Sequence, residues 1–386
     1  MARVYLDHAS SSPLRPVALE AMLPYLRDHP ADPGRLHQEG KVTRVALEVA
    51  REQVAALFGA RPREVVFTSS GTEAVNTAVY GALARANVDA DGGSGATVVT
   101  TAVEHSAVLD AAGRDPRTQV VTVGVDHHGR VDPAELLDAV DDRTALVSVQ
   151  LANHEVGTIQ PVAAVIEGAR ERGVLLHVDA CAAAGHVPVD FGALGADLCS
   201  VTGHKWGAPK GAAALLVRRG LRLPGFVLGG AQERARRGGI EDVAAAVGLG
   251  AAAAELAADG SLAREAAEAR RRTDRLAARA SAVPGVARFG DPDPRGTLPH
   301  LVCLGVEGVE AEPVLLALDQ HGVAVHSGSS CSSEMLEPSP VLAAMGVDAD
   351  RSLRARGGWS TVDDDVEAFA TAFPGIVERL RRLRTT

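Results

Sequence analysis

Between Glu64 and Val217 the chain repeats one rhythm: a short β-branched apolar run, a polar turn, then an alanine-rich amphipathic stretch. The runs Val65–Thr68, Thr97–Thr101, Val120–Val123, Ala145–Gln150, Val174–Val178, Leu198–Val201 and Ala213–Val217 read as strands. Most are apolar without alternation, the pattern of strands covered by helices on both faces, and this predicts an α/β fold around a mostly parallel sheet. Ligands of such sheets gather at the carboxyl ends of the strands. Glu73–Arg85, Pro133–Val140 and Val162–Arg172 read as intervening helices. A helical stretch from Val243 to Ala280, interrupted near Asp259–Gly260, leads through the loop Gly290–Gly296 to strands at Leu301–Gly305 and Gly322–Val325 and a terminal helix at Val366–Arg384. These shifts predict a large domain over 13–260 and a smaller α/β domain over 261–386, with residues 1–12 packing on the smaller one.

The 386 residues suffice for two or three domains. Apolar residues at 46% and charged residues at 23% are ordinary for a globular protein. A formal charge of −10 disfavours non-specific binding to nucleic acid or anionic membrane and favours a small-molecule or protein partner. The four cysteines, Cys181, Cys199, Cys303 and Cys331, form no CxxC pair, so neither a disulfide framework nor a zinc site is indicated. With no visible targeting segment and no apolar run of membrane-spanning length, a cytoplasmic location is expected. All but three of the 39 basic residues are arginine, so lysine chemistry rests on Lys41, Lys205 or Lys210.

Thr68-Ser69-Ser70-Gly71-Thr72-Glu73 follows a strand and opens a helix. Its amide groups and the hydroxyls of Ser70 and Thr72 could hold a phosphate, or it could be an ordinary helix cap. His177-Val178-Asp179 and Ser200-Val201-Thr202-Gly203-His204-Lys205 close two further strands at the same sheet edge. A buried Asp beside a Lys is often a plain ion pair. Next to a phosphate cradle, however, a lysine able to form a Schiff base and a carboxylate able to keep a pyridine nitrogen protonated are what pyridoxal phosphate requires. The pair His127-His128 has no third ligand within sequence reach and reads as a turn, so no metal site is expected.

At these residues the chain resembles the NifS/IscS-type cysteine desulfurases, class V aminotransferase-like enzymes of fold-type I. The likeness runs from Tyr5–Ala9 through Phe67–Glu73, Glu104-His105, Asn153–Gly157, His177–Ala180, Gly203–Lys205 and Gly229–Arg237 to Ser327–Ser333, Leu336–Ser339 and Leu353-Arg354. It implies a fold-type I pyridoxal phosphate-dependent transferase with a sheet of roughly seven strands. It also implies that Lys205 carries pyridoxal 5'-phosphate covalently, that Asp179 holds the ring N–H, and that Ser70, Gly71, Thr72, Thr202 and His204 surround the phosphate. Asn153 would face the cofactor's phenolic oxygen and border the substrate. His105 would stack on the ring and move protons, and Arg354 would clamp the substrate carboxylate with two parallel hydrogen bonds.

Cys199 and Cys303 lie in apolar strands and read as small core hydrophobes, whereas Cys331 lies among Gly and Ser in a segment that buries little apolar area and is expected to be exposed and mobile. The resemblance makes Cys331 the nucleophile, in the longer-loop group that hands sulfur to an acceptor protein. The activity so implied converts L-cysteine to L-alanine with a persulfide on Cys331, in a homodimer. Another pyridoxal phosphate enzyme of the same fold is the alternative: a selenocysteine lyase, a C–S β-lyase or a class V aminotransferase. A non-catalytic sulfur-relay scaffold is a further one. The chain departs from the family pattern at Ala182, usually Gln, at Ile240, usually a Thr that reaches the partner's phosphate, and at Arg356, usually Ser. Ser10-Ser11-Ser12 and Asp32-Pro33-Gly34-Arg35 also replace the usual Ala-Thr-Thr and Asn-Pro-Ser-Ser.

Overall fold

The computed structural model describes residues 3–89, 95–327 and 339–384. Its strands are β1 (Val4–Tyr5), β2 (Val65–Thr68), β3 (Thr97–Thr101), β4 (Gln119–Val123), β5 (Thr144–Gln150), β6 (Leu175–Asp179), β7 (Leu198–Thr202), β8 (Ala213–Val217), β9 (Val286–Phe289), β10 (Leu301–Val306), β11 (Val323–Ala324), β12 (His326–Ser327) and β13 (Ser352–Arg356). Seven of them form one sheet in the order β2-β8-β7-β6-β5-β3-β4. Pairing is parallel from β7 through β6, β5 and β3 to β4, and antiparallel on both sides of β8. The sheet is therefore the mostly parallel one that the apolar runs predict, with β8 reversed. Gly203–Gly211 lets the chain turn straight back from β7 into β8, so no crossover helix intervenes.

Because successive side chains on a strand point to opposite faces, each strand feeds two cores. Val65, Val99, Val147 and Cys199 join Leu47, Val54, Phe58 and Trp206 on one face. Val66, Val98, Leu146 and Leu198 join Val75 and Val79 of the helix Gly71–Asp89 on the other. Parallel registry then sets the carboxyl ends level: Gln150 lies opposite Asp179, and Asp179 opposite Ser200.

The remaining strands make a four-stranded antiparallel sheet, β12-β13-β10-β9, and the parallel pair β1-β11. Val4 and Leu6 belong to the core of this second sheet, together with Phe369 and Phe373, whose rings stack 5.0 Å apart in the helix Asp363–Arg384. The helices Val243–Ala257 and Ser261–Ser281 meet at 80°. Asp259 and Gly260 both take positive φ (39° and 73°) at the bend, a conformation that glycine tolerates without steric cost.

Glu233, Arg234 and Ala235 are three consecutive non-glycine residues at positive φ (46°, 59° and 62°). Such residues cost about 1–3 kcal/mol each and persist only when their surroundings over-determine them. Here the Glu233 carboxylate is fully buried and takes Nη1 and Nη2 of buried Arg51, both at 2.7 Å, and the Phe67 N–H at 3.0 Å. The pair pins the segment Gly229–Ile240 beside the end of β2. Glu233→Ala strands Arg51 in the interior, and urea denaturation is expected to show a loss of about 3–5 kcal/mol.

Candidate active site

A cavity of about 310 Å³ opens over the carboxyl ends of β5, β6 and β7 and the start of the helix Gly71–Asp89. Thr72, His105, Asp179, Thr202, Lys205 and Arg354 all line it, so residues far apart in the chain converge where strand polarity directs them.

The Thr68–Glu73 turn caps its helix and also lines the cavity. Ser70 Oγ accepts the Glu73 N–H at 3.1 Å, and the Glu73 carboxylate accepts the Ser69 N–H at 2.9 Å and Arg237 Nε at 2.9 Å. Capping thus occupies the side chains of Ser69, Ser70 and Glu73, while Ser70, Gly71 and Thr72 line the cavity. A Cβ at Gly71 would lie 2.7 Å from Cys181 Sγ and 3.3 Å from Thr202 Cβ, so the cradle admits only glycine without a shift of its neighbours. Thr202 Oγ1 is buried without a hydrogen-bond partner among the described residues. An unsatisfied hydroxyl beside bare helix amides suits an oxyanion.

Lys205 and Asp179 face the cavity from adjacent strand ends. Burial pushes the Lys205 ammonium down, and the cation Arg356 pushes it further, with Cys181 and Asp179 opposing. Burial works against the Asp179 carboxylate, yet His177 and the Cys181 N–H, 2.9 Å from Oδ1, hold it below the usual range. It is therefore an anion at neutral pH. Burial and Asp179 raise the Cys181 thiol well above its ordinary value, which leaves it protonated and a poor nucleophile. Cys199 and Cys303 are fully buried, and the Cys303 thiol is pushed up to about 12. Burial, Lys205 and Arg356 lower His204, which also lines the cavity, to about 4.

His105 caps the helix Ser106–Gly113, its Nδ1 accepting the Ala107 N–H at 3.0 Å. A neutral ring that accepts at Nδ1 carries its proton on Nε2. Its ring meets His154 edge-on at 5.3 Å. Arg354 reaches the cavity from β13, donating from Nη1 to the His154 carbonyl at 3.2 Å and lying 3.5 Å from Asp7. The strand pair β12-β13 sets His326 opposite Arg354, and Ser339 hydrogen-bonds Glu155, so the described residues on both sides of the Cys331 segment lie next to this wall. Cys331 itself lies outside the described residues.

Asn153 differs from expectation. It is fully buried and is not part of the cavity wall: Oδ1 accepts the N–H groups of Glu155 and Val156, both at 2.8 Å, and Nδ2 donates to the Val103 carbonyl at 3.1 Å. Its amide shapes the turn that carries His154, pairing the buried N–H groups of Glu155 and Val156 and sharing the Val103 carbonyl with Gln150 Nε2.

Several residues near the cavity escape a reading of motifs. Ser12 donates from Oγ to the Lys205 carbonyl at 2.7 Å and is oriented by His8 Nδ1 at 2.9 Å, while His186 Nε2 lies 3.2 Å from the same carbonyl. Arg356, fully buried, donates from Nη2 to the Ala182 carbonyl at 3.0 Å, while its Nε and Nη1 have no hydrogen-bond partner among the described residues. Gln150 lines the cavity at the strand-end position equivalent to Asp179, and its place at the end of β5 was the available signal.

Residues 4–369 match the family model for aminotransferase class-V. The chain belongs to that family. It is 42% identical to an IscS-like cysteine desulfurase of Mycobacterium tuberculosis, covering 98% of this chain and 97% of that protein. It is 38% identical to the cysteine desulfurase IscS of Methanosarcina thermophila, covering 98% and 93%. A solved NifS-like protein superposes with a TM-score of 0.89 at 29% identity, covering 98% of this chain and all of that one.

The depressed basicity of Lys205 is directly measurable. In protein dialysed against hydroxylamine, an amine-acylating reagent is expected to modify Lys205 at lower pH than Lys41 or Lys210, as read by peptide mass mapping. Arg356→Met removes a cation that disfavours the ammonium and moves the Lys205 midpoint to higher pH.

Proposed function

We propose that this protein is an L-cysteine desulfurase that uses pyridoxal 5'-phosphate held on Lys205, forms L-alanine, and leaves the sulfur as a persulfide on Cys331 for an acceptor protein. The observation that carries the reading is the convergence, in one cavity, of a depressed lysine, an ionised aspartate, a glycine cradle and a buried arginine.

The residues present fit the cofactor. Gly71, Thr72 and the unpartnered Thr202 hydroxyl would hold its phosphate, with Ser70 and His204 beside them. Asp179 would hold its ring N–H, and His105 would lie against the ring from the cap of its helix. When bound, the group supplies an electron sink for the substrate's α-carbon. Arg354 binds the substrate carboxylate with paired donors. The Lys205 amine, whose ammonium form burial and Arg356 disfavour, takes the α-proton on Nζ. His105 offers Nε2–H as the neighbouring proton donor. The thiolate of Cys331 attacks the substrate sulfur, and the electron pair of the broken C–S bond remains with the carbon that becomes the methyl group of alanine.

A homodimer fits the same reading. The helices Pro16–Arg27 and Gln38–Leu57 border a groove of about 480 Å³ lined by Tyr25, Val42 and the exposed Val45 and Val49, an apolar surface suited to a second copy of this chain.

Incubation with L-cysteine and dithiothreitol is expected to yield alanine and sulfide in equal amounts, and mass spectrometry after treatment with L-cysteine alone, without the reductant, to place one added sulfur on the Cys331 peptide. Cys331→Ala retains the yellow cofactor band and yields neither persulfide nor alanine. Pyruvate in place of alanine would instead identify a β-lyase.

Arg354→Lys replaces two parallel hydrogen bonds with a point charge. It is expected to lower kcat/KM for cysteine by the equivalent of about 2–4 kcal/mol in steady-state assays.

A further inference from the structure

Glu104 ends the turn after β3, one residue before His105, and is 2% exposed. Its Oε1 accepts the Thr101 hydroxyl at 2.7 Å and the Gln150 N–H at 3.0 Å. Among the described residues its buried Oε2 has no hydrogen-bond partner and no Lys or Arg pairs with the carboxyl. The groups that face it are Asp179 at the end of β6, a like charge, and His154 in the turn after β5. His154 favours the charged form, but burial, one naked oxygen, the lack of a paired Lys or Arg and the anionic neighbour outweigh it, and a carboxyl so placed takes up a proton.

The bonds on Oε1 place this carboxyl under the cavity. The Gln150 N–H that it binds belongs to the last residue of β5, whose side chain lines the cavity and donates from Nε2 to the Val103 carbonyl at 2.7 Å. Gln150 is also the registry partner of Asp179. Glu104 and Asp179 are thus two carboxyls beneath one floor with opposite settings: each accepts one backbone N–H, but Asp179 also has His177 and the Cys181 thiol to stabilise its charge, whereas Glu104 Oε2 has no hydrogen-bond partner among the described residues. Paired acids whose surroundings drive their proton affinities apart divide the roles of acid and anion between them.

We propose that Glu104 is a positioning residue that stands beneath the floor of β3, β5 and β6 as a neutral carboxylic acid, leaving Asp179 as the one ionised carboxylate of that floor. This rests on the function proposed above, in which the Asp179 anion must hold a ring N–H. Ionisation of Glu104 adds a second buried negative charge, which raises the proton affinity of Asp179 and of the nearby histidines together and so spoils the division of charge. Burial pushes the Glu104 carboxyl up to about 8, against the two donors on Oε1, so the change falls just above neutral pH.

Glu104→Gln keeps an oxygen for Thr101 and Gln150 and cannot ionise. Both proteins, as purified, would be followed by difference infrared spectroscopy from acid to alkaline pH, and their L-cysteine turnover measured over the same range. The wild type is expected to lose a protonated-acid C=O band with a midpoint near pH 8 that the variant lacks. Its turnover should fall above that pH, relative to its own neutral value, at least about threefold more than the variant's. If no band distinguishes the proteins, Glu104 is not a neutral acid and the proposal fails. A distinguishing band with superimposable pH profiles reduces Glu104 to a structural brace, and this too overturns the positioning role. Absence of cysteine turnover in both proteins refutes the activity instead, and the band alone then upholds or refutes the neutral carboxyl. Should Glu104→Gln not fold, Thr101→Val retains the carboxyl but removes a donor that favours its ionised form. The band midpoint must then move to higher pH, and an unmoved midpoint overturns the assignment.

Discussion

A buried lysine and a buried aspartate at adjacent strand ends can share one cavity only if the surrounding charges are set for both, and the rest of the molecule is organised around that condition. Asp179 remains an anion because the Cys181 N–H and His177 stabilise it, while Lys205 is weakened as an ammonium by burial and by Arg356. In a medium of low polarity neither setting survives without fixed partners. Those partners come from β6, from the turn beyond it and from β13, so the charge balance depends on the two sheets being held together.

Several contacts provide that hold. Ser12, in the N-terminal segment that also feeds the second sheet through Val4 and Leu6, binds the carbonyl of Lys205 itself. Arg356 runs from β13 to the Ala182 carbonyl beside the cavity, and Arg354, two residues earlier on the same face of that strand, reaches the His154 carbonyl. On the opposite side, the Arg51–Glu233 pair fixes three strained residues next to β2, and Arg237 ties that segment to Glu73 at the head of the cradle helix. Rigid supports of this kind keep donors aimed before a ligand arrives, which is where much of an active site's electrostatic advantage lies.

The departures from the family pattern acquire a physical context. Arg356, where a serine is usual, places a second guanidinium behind Arg354 and is the main charge acting against the Lys205 ammonium. Ala182, where a glutamine is usual, lines the cavity, and its carbonyl receives Arg356. The two positions are thus joined in space, one supplying the carbonyl that the other binds. Ile240, by contrast, is largely exposed and lines a separate cleft beside Glu233 and Arg237. Nothing in a single chain explains its side chain.

Local pattern determined much of this protein. Continuous apolar runs marked the seven strands of the large sheet to within a residue or two, because a strand buried on both faces leaves no room for polar alternation. Asp179 and Lys205 were legible as a candidate site because each closes or follows such a run, and strand polarity sends those ends to one edge. Tertiary structure alone decided what depends on partners distant in the chain. The direction of β8, the inward turn of the Asn153 amide, the Ser12 contact to Lys205 and the Arg51–Glu233 pair all belong to that group. Glu104 shows the reason most clearly. Its motif neighbour His105 could be assigned from residue type, but whether a carboxyl is an acid or an anion depends on desolvation and on charges brought from other strands, and these exist only once the chain has folded.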